Sequence, residues 1–166
     1  MAKKKSRLVF INDNFVREED AKISIYDSAL MFGDMVFEMT RSFKKKQFKL
    51  KEHVQRLLMG VKIYRIPLDL DEEDIIKICN ETIEINEPFF EDHDEHRLMI
   101  NVSRGPLGIY APVFDHKLEP TLIVADFPLK WTVASMGPLY DEGVNMVLTS
   151  QRAIPAHLMD PKIKNR

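Results

Sequence analysis

The sequence predicts an α+β fold, a two-layer sandwich in which a mainly antiparallel sheet packs on two principal helices. Residues that alternate between apolar and polar, as in half-buried strands, occur before residue 51 and again after residue 97. Two runs with the spacing of amphipathic helices stand between them. Strands and helices segregated in this way favour an antiparallel sheet with helices on one face. With 166 residues, 45% of them hydrophobic, the chain can bury one ordinary core.

Two hairpins begin the predicted sheet. Leu8 to Ile11 and Phe15 to Val16 are apolar runs on either side of Asn-Asp-Asn, whose residues accept left-handed backbone in a tight turn. The second hairpin joins residues 40–43 to residues 47–50 through a solvated turn of lysines.

The stretch from Asp27 to Arg41 combines a turn with a strand. Gly33 permits a positive φ, which predicts a tight bend before the strand. The two-residue period then places Phe37 and Met39 on one face and Glu38 on the other. A charged residue among apolar neighbours predicts either a solvated outer face, which is the commoner outcome, or a specific partner.

The first helix is predicted over Lys51 to Arg65 and ends before Pro67, because the residue preceding a proline avoids the α region. Beside its apolar stripe, His53, Arg56 and Gly60 share a second face. A guanidinium near a histidine, with a glycine that lets a ligand approach, predicts a candidate anion site. Taken alone, the same pattern more often belongs to solvated surface residues.

The second helix begins near residue 71 with an N-capping aspartate and carries Cys79 on its inward stripe, so we expect a buried, inert thiol. Further strands are predicted over residues 98–102, 121–125 and 144–149. The first of these ends in a polar loop, which is a common place for functional residues. The last residues of the chain are polar and by composition alone predict a frayed tail.

The charge balance and the apolar runs exclude several classes of protein. Lys plus Arg total 24 and Asp plus Glu 26, so a net charge of -2 gives no electrostatic reason to expect nucleic-acid binding. The apolar run near the N-terminus is too short for a signal peptide or a membrane span, and we therefore expect a cytoplasmic protein. The histidines are scattered, and no metal site is predicted.

Four stretches in order carry a resemblance to a known family: residues 27–41, 52–57, 62–67 and 161–165. Together they resemble the class IV, fold-type IV pyridoxal-phosphate aminotransferases, which include branched-chain aminotransferases, D-amino-acid aminotransferases and aminodeoxychorismate lyases. The resemblance covers nearly the whole chain from about Leu8, and the motifs keep a plausible spacing. It implies pyridoxal 5'-phosphate as the cofactor, and an amino acid and a 2-oxo acid as the molecules between which an amino group moves.

The resemblance also implies a division of the chain. Residues 1–150 match the family's small N-terminal α+β domain, and residues 151–166 match the interdomain linker that carries the candidate Schiff-base lysine. The large C-terminal domain of the family would follow. We therefore expect a truncated chain, inactive on its own, from an enzyme that works as a homodimer or a larger homo-oligomer.

Two residues match positions that handle the cofactor in this family, and a third lies beside one of them. Lys164 matches the lysine that carries pyridoxal phosphate, with Lys162 as the competitor two positions earlier. Such a lysine must attack as a neutral amine, and once freed it moves the Cα proton of the substrate. Arg56 matches the arginine that binds the cofactor phosphate, and His53, one turn before it, is a weaker candidate for the same phosphate.

Other matches concern the substrate. Phe37 and Glu38 fall where the family lines its substrate pocket, and Arg104 resembles the arginine that binds the substrate carboxylate in the D-amino-acid branch. The likeness of residues 52–67 favours branched-chain or similar apolar amino acids. Alternatives within the family are a D-amino-acid aminotransferase and an aminodeoxychorismate lyase. The alternative outside it is a noncatalytic small-domain module.

Overall fold

The computed structural model describes residues 6–165, and its strands form one antiparallel sheet. The strands are β1 (Leu8–Ile11), β2 (Asn14–Arg17), β3 (Met35–Phe43), β4 (Lys46–Gln47), β5 (His96–Ser103) and β6 (Thr121–Pro128). Within the described residues they lie in the order β2-β1-β6-β5-β3-β4. The α-helices are α1 (Ser28–Phe32), α2 (Leu50–Tyr64), α3 (Glu72–Asn86) and α4 (Leu129–Glu142).

Helices α2 and α3 cover one face of the sheet, α2 against β3 and α3 against β1 and β6. This arrangement confirms the predicted two-layer α+β sandwich. Cys79 is fully buried, and burial raises the pKa of its thiol to about 12, so the thiol stays protonated as expected. The buried core side chains are Val54, Leu57 and Val61 of α2, Ile75 and Cys79 of α3, and Val36, Leu98, Ile100, Val102, Leu122 and Val124 of the sheet.

The ends of the elements follow from local sequence. Asp71 and Asp74 form a capping box, in which each side chain accepts a hydrogen bond from the backbone N–H of the other, and α3 begins there. Helix α2 ends at Tyr64, and its C-cap Arg65 has a left-handed φ of 52°, two residues before Pro67, which cannot continue the helix. Gly33 has a φ of 70° and directs the chain from α1 into β3, as the sequence predicts.

Strand β3 presents two different faces. Val36, Glu38 and Thr40 are buried, whereas Phe37 and Met39 alternate with them and are only partly buried, which confirms the predicted two-residue period. The pairing of β3 with β5 extends from residue 35 to residue 41. The strand therefore separates the helix layer from a second surface on the opposite side of the sheet.

The chain after β6 departs from the predicted order. The strand predicted over residues 144–149 is wrong, because those residues pair with no strand in the described chain and Leu148 is fully exposed. An apolar run forms a strand only where a neighbouring strand is available. Helix α4 was not predicted, because Gly137 and Pro138 interrupt its helical pattern. None of the helices within residues 6–165 combines the length and the apolar character that a membrane span requires.

Gly60 lets α2 pack closely on β3. A Cβ atom added there would lie 2.9 Å from Cγ1 of Val36, so the glycine serves helix–sheet packing rather than the ligand approach expected for it. We expect Gly60→Ala to lower the free energy of unfolding by up to about 2 kcal/mol. Overpacking destabilises the fold by about 1–3 kcal/mol, and the higher helix propensity of alanine offsets about 1 kcal/mol of that loss. Urea unfolding measures the change.

The matched control is Gly108→Ala. An added Cβ there meets nothing within 4 Å, so the free energy of unfolding should stay within about 0.5 kcal/mol of the wild type. If Gly60→Ala behaves like this control, the close contact between α2 and β3 is not a source of stability.

Candidate functional site

A buried carboxylate organises one end of the candidate site. Glu38 is 0% exposed, and its Oε1 accepts a hydrogen bond from Nε of Arg56. Its Oε2 accepts a second one from Nη2 of Arg56 at 2.8 Å and lies 2.8 Å from Nδ1 of His53. The arginine therefore binds the carboxylate bidentately. The solvated outer face, the commoner expectation for Glu38, is wrong: the residue has a specific partner on α2.

The charges in this network stabilise one another. Burial alone would raise the pKa of Glu38, but the hydrogen bonds and charges of Arg56 and His53 lower it below its ordinary value. The hydrogen bonds that Arg56 donates to Glu38 likewise raise the pKa of the Arg56 guanidinium. Glu38 is therefore ionised at neutral pH, and it fixes the orientation of both side chains on α2.

Arg56 keeps donors that Glu38 does not use. Its Nε and Nη2 bind the carboxylate, and no hydrogen bond within residues 6–165 involves its Nη1. The side chain is 43% exposed. A guanidinium held on one side and open on the other can bind an anionic ligand without losing side-chain entropy at that moment.

Lys164 lies at the edge of β3, beside Phe37. Its carbonyl oxygen accepts a hydrogen bond from the N–H of Phe37 at 2.9 Å, and Asn165 forms an antiparallel bridge with Val36. Its Nζ lies 4.9 Å from the centre of the Phe37 ring, a cation–π contact. The frayed tail expected from composition is wrong for these residues, because they are bound to the edge of β3.

An open groove of about 380 Å³ brings several of the predicted residues together. Lys164 and His53 both line it, Phe37 contacts Lys164, and Glu38 reaches the groove through its contact with His53. The groove is lined by Met39, Thr40, Arg41, Phe48, His53, Arg97, Leu129 and Lys164.

Two groove residues, Arg41 and Arg97, were not predicted as functional. Arg41 has the same parity as Phe37 along β3, so the alternation of that strand was a signal for it. Arg97 carries no such signal, because its place opposite Arg41 depends on the register between β3 and β5.

Arg104 has a different environment. Its Nε donates to Oδ2 of Asp34 at 2.7 Å, and its Nη1 and Nη2 donate to the carbonyl oxygens of Arg65 and Tyr64 at 2.8 and 2.7 Å. These contacts hold the loop after β5 to the end of α2, and Arg104 is not a lining residue of the groove. Its role as a carboxylate ligand stays a prediction.

Comparison with known proteins gives a family match over most of the chain. Residues 35–166 match the model described as amino-transferase class IV. A Methanocaldococcus jannaschii protein, provisionally named a branched-chain-amino-acid aminotransferase, is 31% identical over 159 residues, which are 95% of this chain and 50% of that protein. The branched-chain-amino-acid aminotransferase of Escherichia coli K12 is 29% identical over 93% of this chain and 49% of its own length. This chain therefore spans about half the length of these curated relatives.

A shorter stretch of this chain matches an aminotransferase that is named for a different substrate. The D-alanine aminotransferase of Staphylococcus epidermidis is 37% identical over 78 residues, which are 47% of this chain and 28% of that protein.

Solved structures give the same fold. The branched-chain amino acid aminotransferase from Escherichia coli matches with a TM-score of 0.61 and 27% identity, over 75% of this chain and 41% of that one. The branched-chain aminotransferase of Thermoproteus uzoniensis, with norvaline, matches with a TM-score of 0.71 and 24% identity, over 97% of this chain and 52% of that one, and bears on the fold alone. The expected likeness to the small domain of these enzymes is confirmed.

Proposed function

Because this chain belongs to the class IV aminotransferases, we propose that it supplies the small-domain half of a pyridoxal-phosphate enzyme that moves an amino group between an amino acid and a 2-oxo acid. One observation carries the proposal most directly: the Lys164 amine lies over the Phe37 ring, in the groove that His53 also lines.

The residues around the groove fit a flat, anionic cofactor. Arg56 does not line the groove itself; the buried Glu38 holds its partly exposed guanidinium, and among residues 6–165 its Nη1 has no hydrogen-bond partner. The lining residues include three cationic side chains and a histidine but no carboxylate. Arg56 and His53 would hold the phosphate, and Lys164 would hold the aldehyde end. When bound, pyridoxal phosphate supplies an electron sink that makes the Cα proton of an amino acid acidic.

Lys164, Phe37 and Glu38 would each have a different role in the reaction. Once released, the amine of Lys164 would take the proton from the substrate Cα and later give it back. The Phe37 ring, whose centre lies 4.9 Å from Nζ, would cover one side of the amine. Glu38 touches no ligand in this scheme, because it is fully buried, and acts by fixing Arg56 and His53.

The phosphate assignment predicts a loss of cofactor affinity in Arg56→Lys. Lysine keeps the positive charge but cannot bind Glu38 bidentately and still present a second pair of N–H donors. We expect pyridoxal phosphate to bind about 10- to 100-fold more weakly, the equivalent of one charged hydrogen bond, while the KM for the amino acid stays near the wild-type value. Fluorescence titration of the complete protein measures the affinity.

Arg17→Lys provides the control, because Arg17 lies on β2 and pairs with Asp20 at the surface. Circular dichroism checks that the Arg56 variant keeps its fold. Wild-type affinity in a folded Arg56→Lys would remove Arg56 from the phosphate site, and no binding by the wild type would favour a noncatalytic module.

Branched-chain or similar apolar L-amino acids are the substrates that we propose. The named relatives over most of the chain support this choice. The D-alanine aminotransferase match supports D-amino acids as the second candidate. Rates with L-leucine and D-alanine, each paired with 2-oxoglutarate, separate the two, and a rate with D-alanine alone would overturn the first.

The organisation of the active protein is also a proposal. We assign residues 1–150 to the small domain and residues 151–166 to a linker, and we propose that a large domain completes the site in a cytoplasmic homodimer. The half-length match and the exposed Trp131, Val133 and Tyr140 of α4 support a covering partner surface. Sedimentation of the complete protein as a monomer would contradict the dimer.

A further inference from the structure

The side chain of Asn165 connects the lysine segment, residues 163–165, to the end of helix α2. Its Nδ2 donates a hydrogen bond to the hydroxyl oxygen of Tyr64, the last residue of α2, which lies 101 positions earlier in the chain. Both residues are partly buried, so water competes less for this bond than it would at the surface. Because Asn165 directly follows Lys164, the hydroxyl of Tyr64 fixes the position next to the candidate Schiff-base lysine.

Tyr64 is itself held at two points. Its side chain packs against the hydrophobic core between the helices and the sheet. Its carbonyl oxygen accepts a hydrogen bond from Nη2 of Arg104 at 2.7 Å, and Nε of Arg104 donates to Oδ2 of Asp34 at 2.7 Å. A tyrosine has only two rotatable side-chain bonds, so one that is fixed at its ring and at its backbone presents its hydroxyl in one place.

The backbone contacts of the lysine segment are few. The N–H of Phe37 donates to the carbonyl oxygen of Lys164 at 2.9 Å, and Asn165 forms one bridge with Val36. Residues 151–162, which precede the segment, are all exposed. A pairing this short is marginal in water when nothing else supports it.

Side-chain contacts on both sides of Lys164 supply that support. Ile163 packs against the hydrophobic core, and Asn165 binds Tyr64. One hydrogen bond shifts a local opening equilibrium by about 2- to 10-fold. Where the backbone pairing is marginal, a shift of this size decides how tightly the segment is attached to β3.

We propose that Tyr64 is a positioning residue for Lys164. Through Asn165 it keeps the lysine segment on the edge of β3, where the amine of Lys164 lies 4.9 Å from the centre of the Phe37 ring. Tyr64 is not a lining residue of the groove, so it acts through Asn165 and not on a ligand. The inference rests on the proposed function in giving Lys164 its part in the reaction.

The first experiment needs neither cofactor nor catalysis. The N–H of Phe37 donates to Lys164, so its hydrogen exchange in the cofactor-free complete protein reports how firmly the segment is attached. Tyr64→Phe removes only the hydroxyl. Exchange at Phe37 should become about 2- to 10-fold faster, while the melting temperature stays within about 4 °C of the wild type because the ring remains in the core.

Tyr110→Phe is the matched control. The ring of Tyr110 packs on Tyr26 at 4.8 Å between centres, and its hydroxyl makes no hydrogen bond within residues 6–165. Exchange at Phe37 should therefore stay at the wild-type rate in this variant. If Tyr64 served only the stability of α2, Tyr64→Phe would speed exchange along the whole helix and leave Phe37 no more affected than the rest.

A double-mutant cycle separates the Tyr64–Asn165 bond from other effects of either residue. Asn165→Ala should speed exchange at Phe37 at least as much as Tyr64→Phe, because it removes the other partner of the same bond. Adding Tyr64→Phe to Asn165→Ala should then produce no further change. Fully additive effects of the two substitutions would show that the residues act independently and would contradict the proposal.

The second experiment uses the complete protein with pyridoxal phosphate. Tyr64→Phe should lower kcat for L-leucine about 10-fold and leave its KM within about 2-fold, because a less firmly placed amine slows proton transfer without removing a contact to the amino acid. A misplacement of 1 Å can reduce a rate by about 10²-fold, so a looser but still attached segment should have a smaller effect.

Unchanged exchange at Phe37 in Tyr64→Phe, in a protein that transaminates amino acids, would overturn the positioning role and leave the proposed function intact. A raised KM with an unchanged kcat would likewise overturn it, since Tyr64 would then affect substrate binding. Faster exchange at Phe37 in a protein that transaminates no amino acid would contradict the proposed function and leave the attachment of the lysine segment standing.

Discussion

Lys164→Ala is expected to abolish transamination, with kcat reduced at least about 1,000-fold. The reason is twofold: positioned proton transfer alone contributes about 10²–10⁴ in rate, and the same amine would hold the cofactor. Single-turnover kinetics of the complete protein with pyridoxal phosphate and L-leucine measure the loss. Lys164→Arg should be as inactive, because a guanidinium cannot react as a neutral amine.

Lys162→Ala is the matched control for this prediction. Lys162 is exposed, two residues before Lys164, and its backbone N–H donates to the side chain of Asp160 at 2.9 Å. Its kcat should stay within a few-fold of the wild type. Borohydride reduction followed by peptide mass mapping locates the attached cofactor. Attachment at Lys162, or activity retained by Lys164→Ala, would refute the assignment.

His96→Leu is expected to lower the free energy of unfolding by about 3–5 kcal/mol near pH 6, the cost of breaking a buried ion pair by removing one partner. His96 is 0% exposed, with Nδ1 2.8 Å from Oδ2 of Asp126 and Nε2 2.6 Å from Oε2 of Glu87. Its ring stacks on Phe90 at 4.2 Å between centres. Leucine fills the space but leaves Asp126, whose pKa burial already raises, without its hydrogen-bonded partner.

The size of this effect should depend on pH. Burial alone would lower the pKa of His96, but the hydrogen bonds and charges of Asp126 and Glu87 raise it above its ordinary value of 6.5. A folded-state pKa above the unfolded one means that the stabilisation is complete below about pH 6.5 and is lost as the pH rises through the folded-state pKa. The stability difference between wild type and His96→Leu should therefore be largest in mild acid and smaller in alkaline solution.

Urea unfolding across that pH range tests both the size and the sign of the effect. His93→Leu is the control, because His93 is an exposed histidine of the same segment and should change the stability by less than about 0.5 kcal/mol. Adding Asp126→Asn to His96→Leu should restore part of the lost stability by removing the unpaired charge. Equal effects of the two histidine substitutions, or a gap that widens with rising pH, would contradict the ion-pair explanation.

Much of the fold could be predicted because its signals are local. The alternation along β3 separates Phe37 from Glu38, and the spacing of apolar residues defines α2 and α3 almost to the residue. Backbone preferences at Gly33 and before Pro67 mark a turn and a helix end. For the site, one-turn spacing on α2 is enough to place His53 and Arg56 together, although their chemical roles stay predictions.

The remainder depends on contacts between residues far apart in sequence. No local sequence signal near Glu38 predicts that its carboxylate binds Arg56, a helix residue 18 positions later. The pairing of Arg41 with Arg97 follows from strand register, which a one-residue slip would change. Residues 144–149 have strand-like composition but no neighbour to pair with, so their side chains remain exposed.

The backbone contact between Lys164 and Phe37 has a consequence for motion. The hydrogen bond from Phe37 and the bridge between Val36 and Asn165 anchor the root of the lysine to a strand of the core. The four methylene groups of its side chain remain free to rotate, so the tip can swing over the Phe37 ring while its pivot stays still. In the proposed function the same amine holds the cofactor and then transfers a proton, and a fixed backbone with a movable tip suits both tasks.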